Sequence, residues 1–281
     1  MSDIMTVVDC DREAREVERI LWPAGKSPTV KVIDLKGSVS KTAAIKAKSL
    51  FVLCSTSHLP FVADVIRKSN DRHRLRALFL REDTDPMLLP QMLDRANLRT
   101  LRNMLVHTEW VLPRRVLGAW EAGAQKRLIA NATVVNDRLL VLNCVLERFE
   151  LSFDDVAALG RIPKTDRSGF EISEDGSYLH WPREDVHLNM DAIRYITDSD
   201  WRQREDTRRV TADENFGAAV ARLRKELDLR QRDITRLSAR QVSRIENGAR
   251  PSYESLNALA IAHRMTVNQY LEAIAQSLGN D

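Results

Sequence analysis

The feature that most constrains the fold is a regular alternation of strand-like and helix-like stretches over the first hundred residues. Short apolar runs alternate with stretches of helical spacing: the runs are "MTVVDC", "TVKVIDL", "SLFVLCS" and "LRALFL", and the helical stretches are "DREAREVERILW", "KTAAIKA", "FVADVIRKSN" and "PMLLPQMLDRANL". Such alternation is typical of a parallel sheet with helices on its faces. The sequence therefore predicts an N-terminal α/β domain over residues 1–125.

Acidic residues follow the first predicted strand, where Asp9 and Asp11 stand close together. With the order and spacing of the segments over roughly Met1–Leu105, this pair resembles a response-regulator receiver domain, a family that carries metal-binding acids at this place. The third strand ends in "FVLCSTS", so Cys54 or a neighbouring serine stands where a receiver has its phospho-accepting aspartate. The resemblance implies a degenerate receiver that dimerises or senses a ligand. A plain α/β domain with surface acids is the alternative.

A small α+β module is predicted for residues 126–197. "NATVVNDRLLVLNCV" contains two β-type runs, and "FEISEDGSYLHW" indicates a hairpin, since Asp175-Gly176 supplies residues suited to a turn with positive φ. Polar residues then fill 198–214, "DSDWRQREDTRRVTADE", with no apolar period. This segment predicts a solvated linker.

Two kinds of metal ligand occur in the chain without a recognisable pattern. His180, Asp185 and His187 lie close in sequence, but their spacing matches no ligand motif and favours ordinary surface or partly buried histidines. The chain has three cysteines, which are scattered and odd in number, and this favours reduced thiols over disulfides or a thiolate metal site. The sequence therefore predicts no metal ion and no cofactor.

Short helices are predicted for residues 215–281, which form an all-α domain of five helices. Apolar residues recur at helical spacing and would supply a common core; they are Phe216, Val220, Leu223, Leu227, Ile234, Leu237, Val242, Ile245, Leu256, Leu259, Val267, Tyr270, Leu271 and Ile274. Ser238 with Gln241 and Thr266 with Gln269 each form a capping box, which marks a helix start. Gly248, followed by Pro251, marks a helix end.

The same residues resemble the lambda-repressor-like, or XRE-type, helix-turn-helix family over "LRKELDLRQRDI", "VSRIENGARPSYESLNALA" and "TVNQYL". The resemblance implies that Gln231 begins the second helix and approaches the DNA backbone, and that Ser238 to Glu246 form the recognition helix. By that resemblance the residues that read bases or touch phosphates in double-stranded DNA are Gln231, Ser238, Ala239, Arg240, Gln241, Ser243, Arg244 and Asn247. Glu246 has a structural role in the family.

This chain departs from the family between Gln231 and "SRIENG", where it is three residues shorter than usual. Arg230 also stands where a Ser or Thr usually caps the second helix. The departure predicts a clipped second helix or a tightened turn, which could tilt the recognition helix.

Charge is concentrated in the same region. The formal net charge of the chain is only +3, but residues Asn215–Arg250 contain nine Lys or Arg against four Asp or Glu. Basic clusters supply the part of nucleic-acid binding that does not depend on base sequence. A solvated basic surface without a ligand is the alternative.

These observations predict a bacterial, cytoplasmic, sequence-specific DNA-binding regulator that is not an enzyme, with no membrane span and no secretory signal. The N-terminal domains would sense, bind a protein partner or form a homodimer. The first alternative is an adaptor that uses a modified helix-turn-helix fold to bind protein. The second is a metal-dependent nuclease or other phosphate-processing activity at Asp9 and Asp11.

Overall fold

The computed structural model describes residues 4–9, 11–21, 29–32 and 47–279 of the chain. Contacts divide the chain into two compact units, Met1–Thr197 and Asp198–Asp281. Of the predicted helix "KTAAIKA" only Ala47 is described, and the side chain of Asp11 lies outside the described part.

A five-stranded parallel sheet forms the first part of unit one, which confirms the predicted N-terminal α/β architecture. Its strands are β1 (Ile4–Val8), β2 (Thr29–Val32), β3 (Ser49–Ser55), β4 (Leu75–Arg81) and β5 (Met104–His107). They lie in the order β2-β1-β3-β4-β5, which is the order of flavodoxin-like doubly wound sheets. The helices between and after them are α1 (Asp11–Leu21), α2 (Leu59–Asp71), α3 (Leu89–Ala96) and α4 (Val111–Glu121).

The central strands are buried on both faces, and their continuous apolar runs suit this position. On one face, Val52 and Cys54 of β3 belong to a core cluster with residues of α2 and α3. On the other face, Phe51 belongs to a second cluster that contains Val116 and Leu117 of α4. The sheet is thus a layer between two hydrophobic cores.

Two antiparallel sheets complete unit one. The first contains β6 (Ile129–Val135), β7 (Arg138–Asn143) and β8 (Arg148–Ser152); the second contains β9 (Glu171–Ile172), β10 (Tyr178–Trp181) and β11 (Val186–Asn189), and is followed by α5 (Met190–Thr197). Gly176 has φ +79° in the turn between β9 and β10, as the hairpin motif predicts. Ala130 and Cys144 pack into the same core as Phe51 of the parallel sheet. The domain boundary between residues 125 and 126 stays a prediction.

Unit two is helical. It contains α6 (Ser199–Glu226), a single 3-10 turn (Gln231–Asp233), α7 (Ala239–Glu246), α8 (Tyr253–Ala262) and α9 (Val267–Leu278). A helical C-terminal region was predicted, but the predicted second helix is reduced to the 3-10 turn. The clipping that the short spacing predicts is therefore present.

The segment predicted as a linker, residues 198–214, lies almost entirely within α6 in this structure. The Asp198 side chain accepts a hydrogen bond from Trp201 N at 2.8 Å and so caps the helix. Glu205 pairs with Arg208 and Arg209 at i,i+3 and i,i+4, which supports an exposed helix. The first half of α6 is polar all round, so it lacks the apolar period that predicts a helix from sequence.

The core of unit two contains most of the predicted apolar residues. Val220, Ile234, Val242, Ile245, Leu259, Tyr270 and Ile274 are buried in one cluster. Leu227 and Leu271 are exceptions, since they are 51% and 38% exposed. Leu227 lies just after the last residue of α6 and therefore does not share the buried face of that helix.

Candidate nucleic-acid interface

Helix α7 begins and ends where the sequence predicts. Ser238 Oγ accepts a hydrogen bond from Gln241 N at 3.2 Å, and Gln241 Oε1 accepts one from Ser238 N at 2.8 Å. The capping box is therefore complete. At the other end, Gly248 has φ +89°, a conformation that favours glycine and ends the helix.

Burial fixes which face of α7 is turned outward. Val242 and Ile245 are buried in the core of unit two, whereas Arg240 and Arg244 are exposed. Residues at i and i+4 lie on the same face of a helix, about 6 Å apart along its axis. Neither arginine makes an ion pair within the described part of the chain. The two guanidinium groups are thus available to an external ligand.

Other predicted site residues on α7 have local partners. Gln241 Oε1 also accepts from Ser238 Oγ at 2.8 Å, so this amide oxygen belongs to the cap. Asn247 Nδ2 donates to the Ser243 main-chain oxygen at 2.7 Å. Ala239 is exposed at the first turn. Arg240 and Arg244 therefore remain the long cationic side chains of the predicted set.

Three more exposed arginines precede α7 in the chain. Arg230, Arg232 and Arg236 lie in or beside the 3-10 turn, and none of them forms an ion pair with a residue that the structure describes. Asp233 lies among them, but its carboxylate accepts a hydrogen bond from Arg230 N at 2.8 Å and caps the turn. This short segment is therefore strongly basic.

A buried charge network holds the C-terminal end of α7. Arg224 of α6 donates to Glu246 through Nε and, at 3.1 Å, through Nη2. Gln231 Nε2 donates to Glu246 Oε2 at 2.7 Å. Burial acts to raise the pKa of Glu246, but the hydrogen bonds from Arg224 and Gln231 lower that pKa below its ordinary value. Glu246 therefore joins the end of α7 to α6 and to the 3-10 turn.

Gln231 is the predicted site residue whose place differs most from the expectation. It does begin the second element, but its side-chain amide is directed to Glu246 in this structure. The predicted contact with the DNA backbone would have to use its other groups or follow a rearrangement.

Close contact between α6 and α7 depends on Gly217, which no sequence motif marks. A Cβ on Gly217 would lie 2.5 Å from the Ile245 main-chain oxygen and 2.7 Å from that of Glu246. Contacts this short are not tolerated, so only glycine fits here. The only sign of this close approach in the sequence is a glycine within a segment of helical spacing.

At the carboxyl ends of β1 and β3, Asp9 is held by three hydrogen-bonding groups. Asp9 Oδ2 accepts from Ser55 N at 2.7 Å and Ser55 Oγ at 2.8 Å, and His58 Nδ1 lies 2.9 Å from the same oxygen. Cys54 is buried next to Ser55. Ser55 thus ends β3 at the place where the receiver resemblance expects an aspartate.

Comparison of the chain with models of protein families, with curated proteins and with solved structures gives no match. Among the described residues, every helix is too short or too polar to cross a membrane.

Proposed function

We propose that the chain is a sequence-specific DNA-binding transcriptional regulator of the lambda-repressor-like helix-turn-helix type, and that α7 enters the major groove. The observation that carries this proposal is the pair Arg240 and Arg244 on the exposed face of α7. Val242 and Ile245 anchor the opposite face, so both arginines project from a rigid helix.

Arginine is well suited to base reading because its planar fork matches the O6 and N7 acceptors of guanine. A good pair of this kind contributes roughly 1–3 kcal/mol of discrimination between bases. Successive base pairs are about 3.4 Å apart, so two arginines about 6 Å apart can reach different base pairs of one half-site. The capping box at Ser238 and the network around Glu246 fix both ends of the helix, which favours a defined register.

Phosphate contacts would come from the basic segment before α7. Arg230, Arg232 and Arg236 are exposed and have no ion pair among the described residues. Such residues add affinity for any DNA sequence and make binding depend on salt concentration. Base reading and phosphate binding are thereby assigned to different arginines.

One observation favours the adaptor alternative. In helix-turn-helix proteins the first helix of the pair crosses the DNA backbone, but here a 3-10 turn, Gln231–Asp233, takes its place. Gln231 is also bonded to Glu246. A module altered in this way could present α7 to a protein instead of to DNA.

For unit one we propose a degenerate receiver-type scaffold that forms a homodimer in the cytoplasm and has no enzymatic activity. The support is the strand order β2-β1-β3-β4-β5, with Asp9 after β1 and Ser55 at the end of β3. Dimerisation would bring two copies of unit two to paired half-sites, a common arrangement for such modules.

A selection of genomic DNA fragments with the purified full chain tests the proposed function. Enrichment of one motif supports the regulator. Retention of fragments without a shared motif, at a level that falls to background at moderate salt, supports the adaptor.

A further inference from the structure

Two histidines and an aspartate converge on the hairpin β10–β11. His180 and His187 are directly paired across the two strands, and their rings stack with centroids 4.1 Å apart. Asp185 Oδ1 lies 4.0 Å from His180 Nε2 and 4.0 Å from His187 Nδ1. Each of the three residues offers one possible ligand atom, and these three atoms all lie within 4.8 Å of one another.

The opposite face of the hairpin is packed into the hydrophobic core, which fixes the backbone that carries these side chains. Leu179, Trp181 and Leu188 point to the opposite face of the strands and are buried in the core of the antiparallel sheets. Trp181 Nε1 also donates to the Arg167 main-chain oxygen at 3.0 Å. The backbone positions of His180 and His187 are therefore fixed, whereas their rings lie on the outer face.

Asp185 is placed by the turn itself. Its φ of +51° is a left-handed conformation, which aspartate adopts more readily than most residues. The turn brings its carboxylate next to both imidazole rings although 91% of the Asp185 side chain remains exposed. The carboxylate is thus free to turn toward a ligand.

The ligand types of His180, Asp185 and His187 favour one class of metal ion. Two imidazoles and one carboxylate suit Zn²⁺, Ni²⁺ or Cu²⁺, whereas Mg²⁺ and Ca²⁺ prefer oxygen ligands. Three protein ligands that leave a position for water are common at zinc sites. We propose that His180, Asp185 and His187 bind a divalent transition metal ion, with Zn²⁺ as the representative of the class.

Binding requires a small rearrangement. Tetrahedral zinc with bonds of 2.0–2.2 Å places its ligand atoms about 3.3–3.5 Å apart, so each 4.0 Å distance must shorten by about 0.6 Å. The nearly parallel rings must also turn so that both nitrogens face one point. The His187 side chain is 50% exposed, which leaves room for this rotation.

The test is a titration of the reduced, chelator-treated full chain with Zn²⁺ against a chromophoric competitor. The variants are His187→Asn and Asp185→Asn, and the control is His73→Asn. His73 is an exposed histidine outside the hairpin with φ +54°, a conformation that asparagine tolerates. Circular dichroism checks that each variant is folded; Asp185→Asn, at an exposed turn position, keeps the test decisive if His187→Asn does not fold.

We expect one Zn²⁺ per wild-type chain, a loss of affinity of about tenfold or more in both variants, and no change in His73→Asn. A parallel Co²⁺ titration should give a spectrum without a thiolate charge-transfer band. The proposal is overturned by the absence of stoichiometric binding, by unchanged affinity in either folded variant, or by a thiolate band, which would place the ion at a cysteine.

Discussion

Gly217 of α6 lies against the main chain of Ile245 in α7 so closely that a Cβ on Gly217 would come within 2.5 Å of the Ile245 oxygen. This contact sets the distance between the long helix of unit two and the helix that carries Arg240 and Arg244. The main-chain oxygen of Glu246 would be nearly as close, at 2.7 Å. Because both oxygens belong to the backbone, neither can move aside by a change of side-chain rotamer. The position of α7 therefore depends on a residue without a side chain.

Replacing Gly217 with alanine should destabilise unit two by roughly 1–3 kcal/mol, since the methyl group overpacks the α6–α7 contact. Urea unfolding of the full chain measures the change, and hydrogen exchange should show that the loss of protection lies in α6 to α9. Gly118→Ala is the matched control, because Gly118 is also helical but a Cβ there meets nothing within 4 Å. Equal effects of the two substitutions would contradict the overpacking argument.

Glu246 should make unit two sensitive to acid. The folded-state pKa of Glu246 is lowered, so its contribution to stability is present above the ordinary value of 4.5 and is lost as pH falls through the lowered pKa. At neutral pH, Glu246→Gln should lower the free energy of unfolding by about 1.5–3 kcal/mol. The difference in unfolding free energy between wild type and Glu246→Gln should shrink as pH falls below 4.5 and through the lowered pKa.

The measurement is urea unfolding of wild type and Glu246→Gln between neutral and acid pH. Glu272→Gln serves as the control, since Glu272 is an exposed carboxylate on α9. A difference between wild type and Glu246→Gln that stays constant with pH would show that the charge of Glu246 is not responsible.

The sequence predicted much of α7 because its determinants are local. The capping box of Ser238 and Gln241, the buried spacing of Val242 and Ile245, and the stop at Gly248 are each readable within a few residues. The strands of the parallel sheet were predicted for the same reason, since each short apolar run lies within a few consecutive residues.

Other features depend on contacts that no local pattern reveals. The start of α6 at Ser199 was missed because its polar first half has no apolar period. The role of Gly217 depends on a helix almost thirty residues away in sequence. The approach of His180 to His187 depends on strand register, and the spacing of the residues alone had favoured ordinary histidines.

Unit one should not accept a stable phosphoryl group. Ser55 ends β3, and both its N–H and its hydroxyl bond to Asp9; β5 ends at His107, with no lysine there. Incubation with acetyl phosphate and Mg²⁺, followed by intact mass spectrometry, should therefore leave the mass unchanged. Stoichiometric formation of an acyl phosphate would contradict the degenerate-receiver interpretation.

The full chain should be a homodimer through residues before Trp201. Light scattering of the full chain and of the segment that ends at Asp198 tests this prediction, and both should have the mass of a dimer. A monomeric segment together with a dimeric full chain would place the interface in unit two.

The proposed function depends on base reading by α7. The measurement is binding of wild type, Arg240→Ala, Arg244→Ala and the control Arg232→Ala to the selected duplex and a scrambled duplex, at two salt concentrations. Each α7 variant should lose roughly 1–3 kcal/mol on the selected duplex and lower the ratio of selected to scrambled affinity. Arg232→Ala should weaken both duplexes equally and reduce the salt dependence. If Arg240→Ala and Arg244→Ala leave that ratio unchanged, α7 does not read bases and the proposed function is wrong.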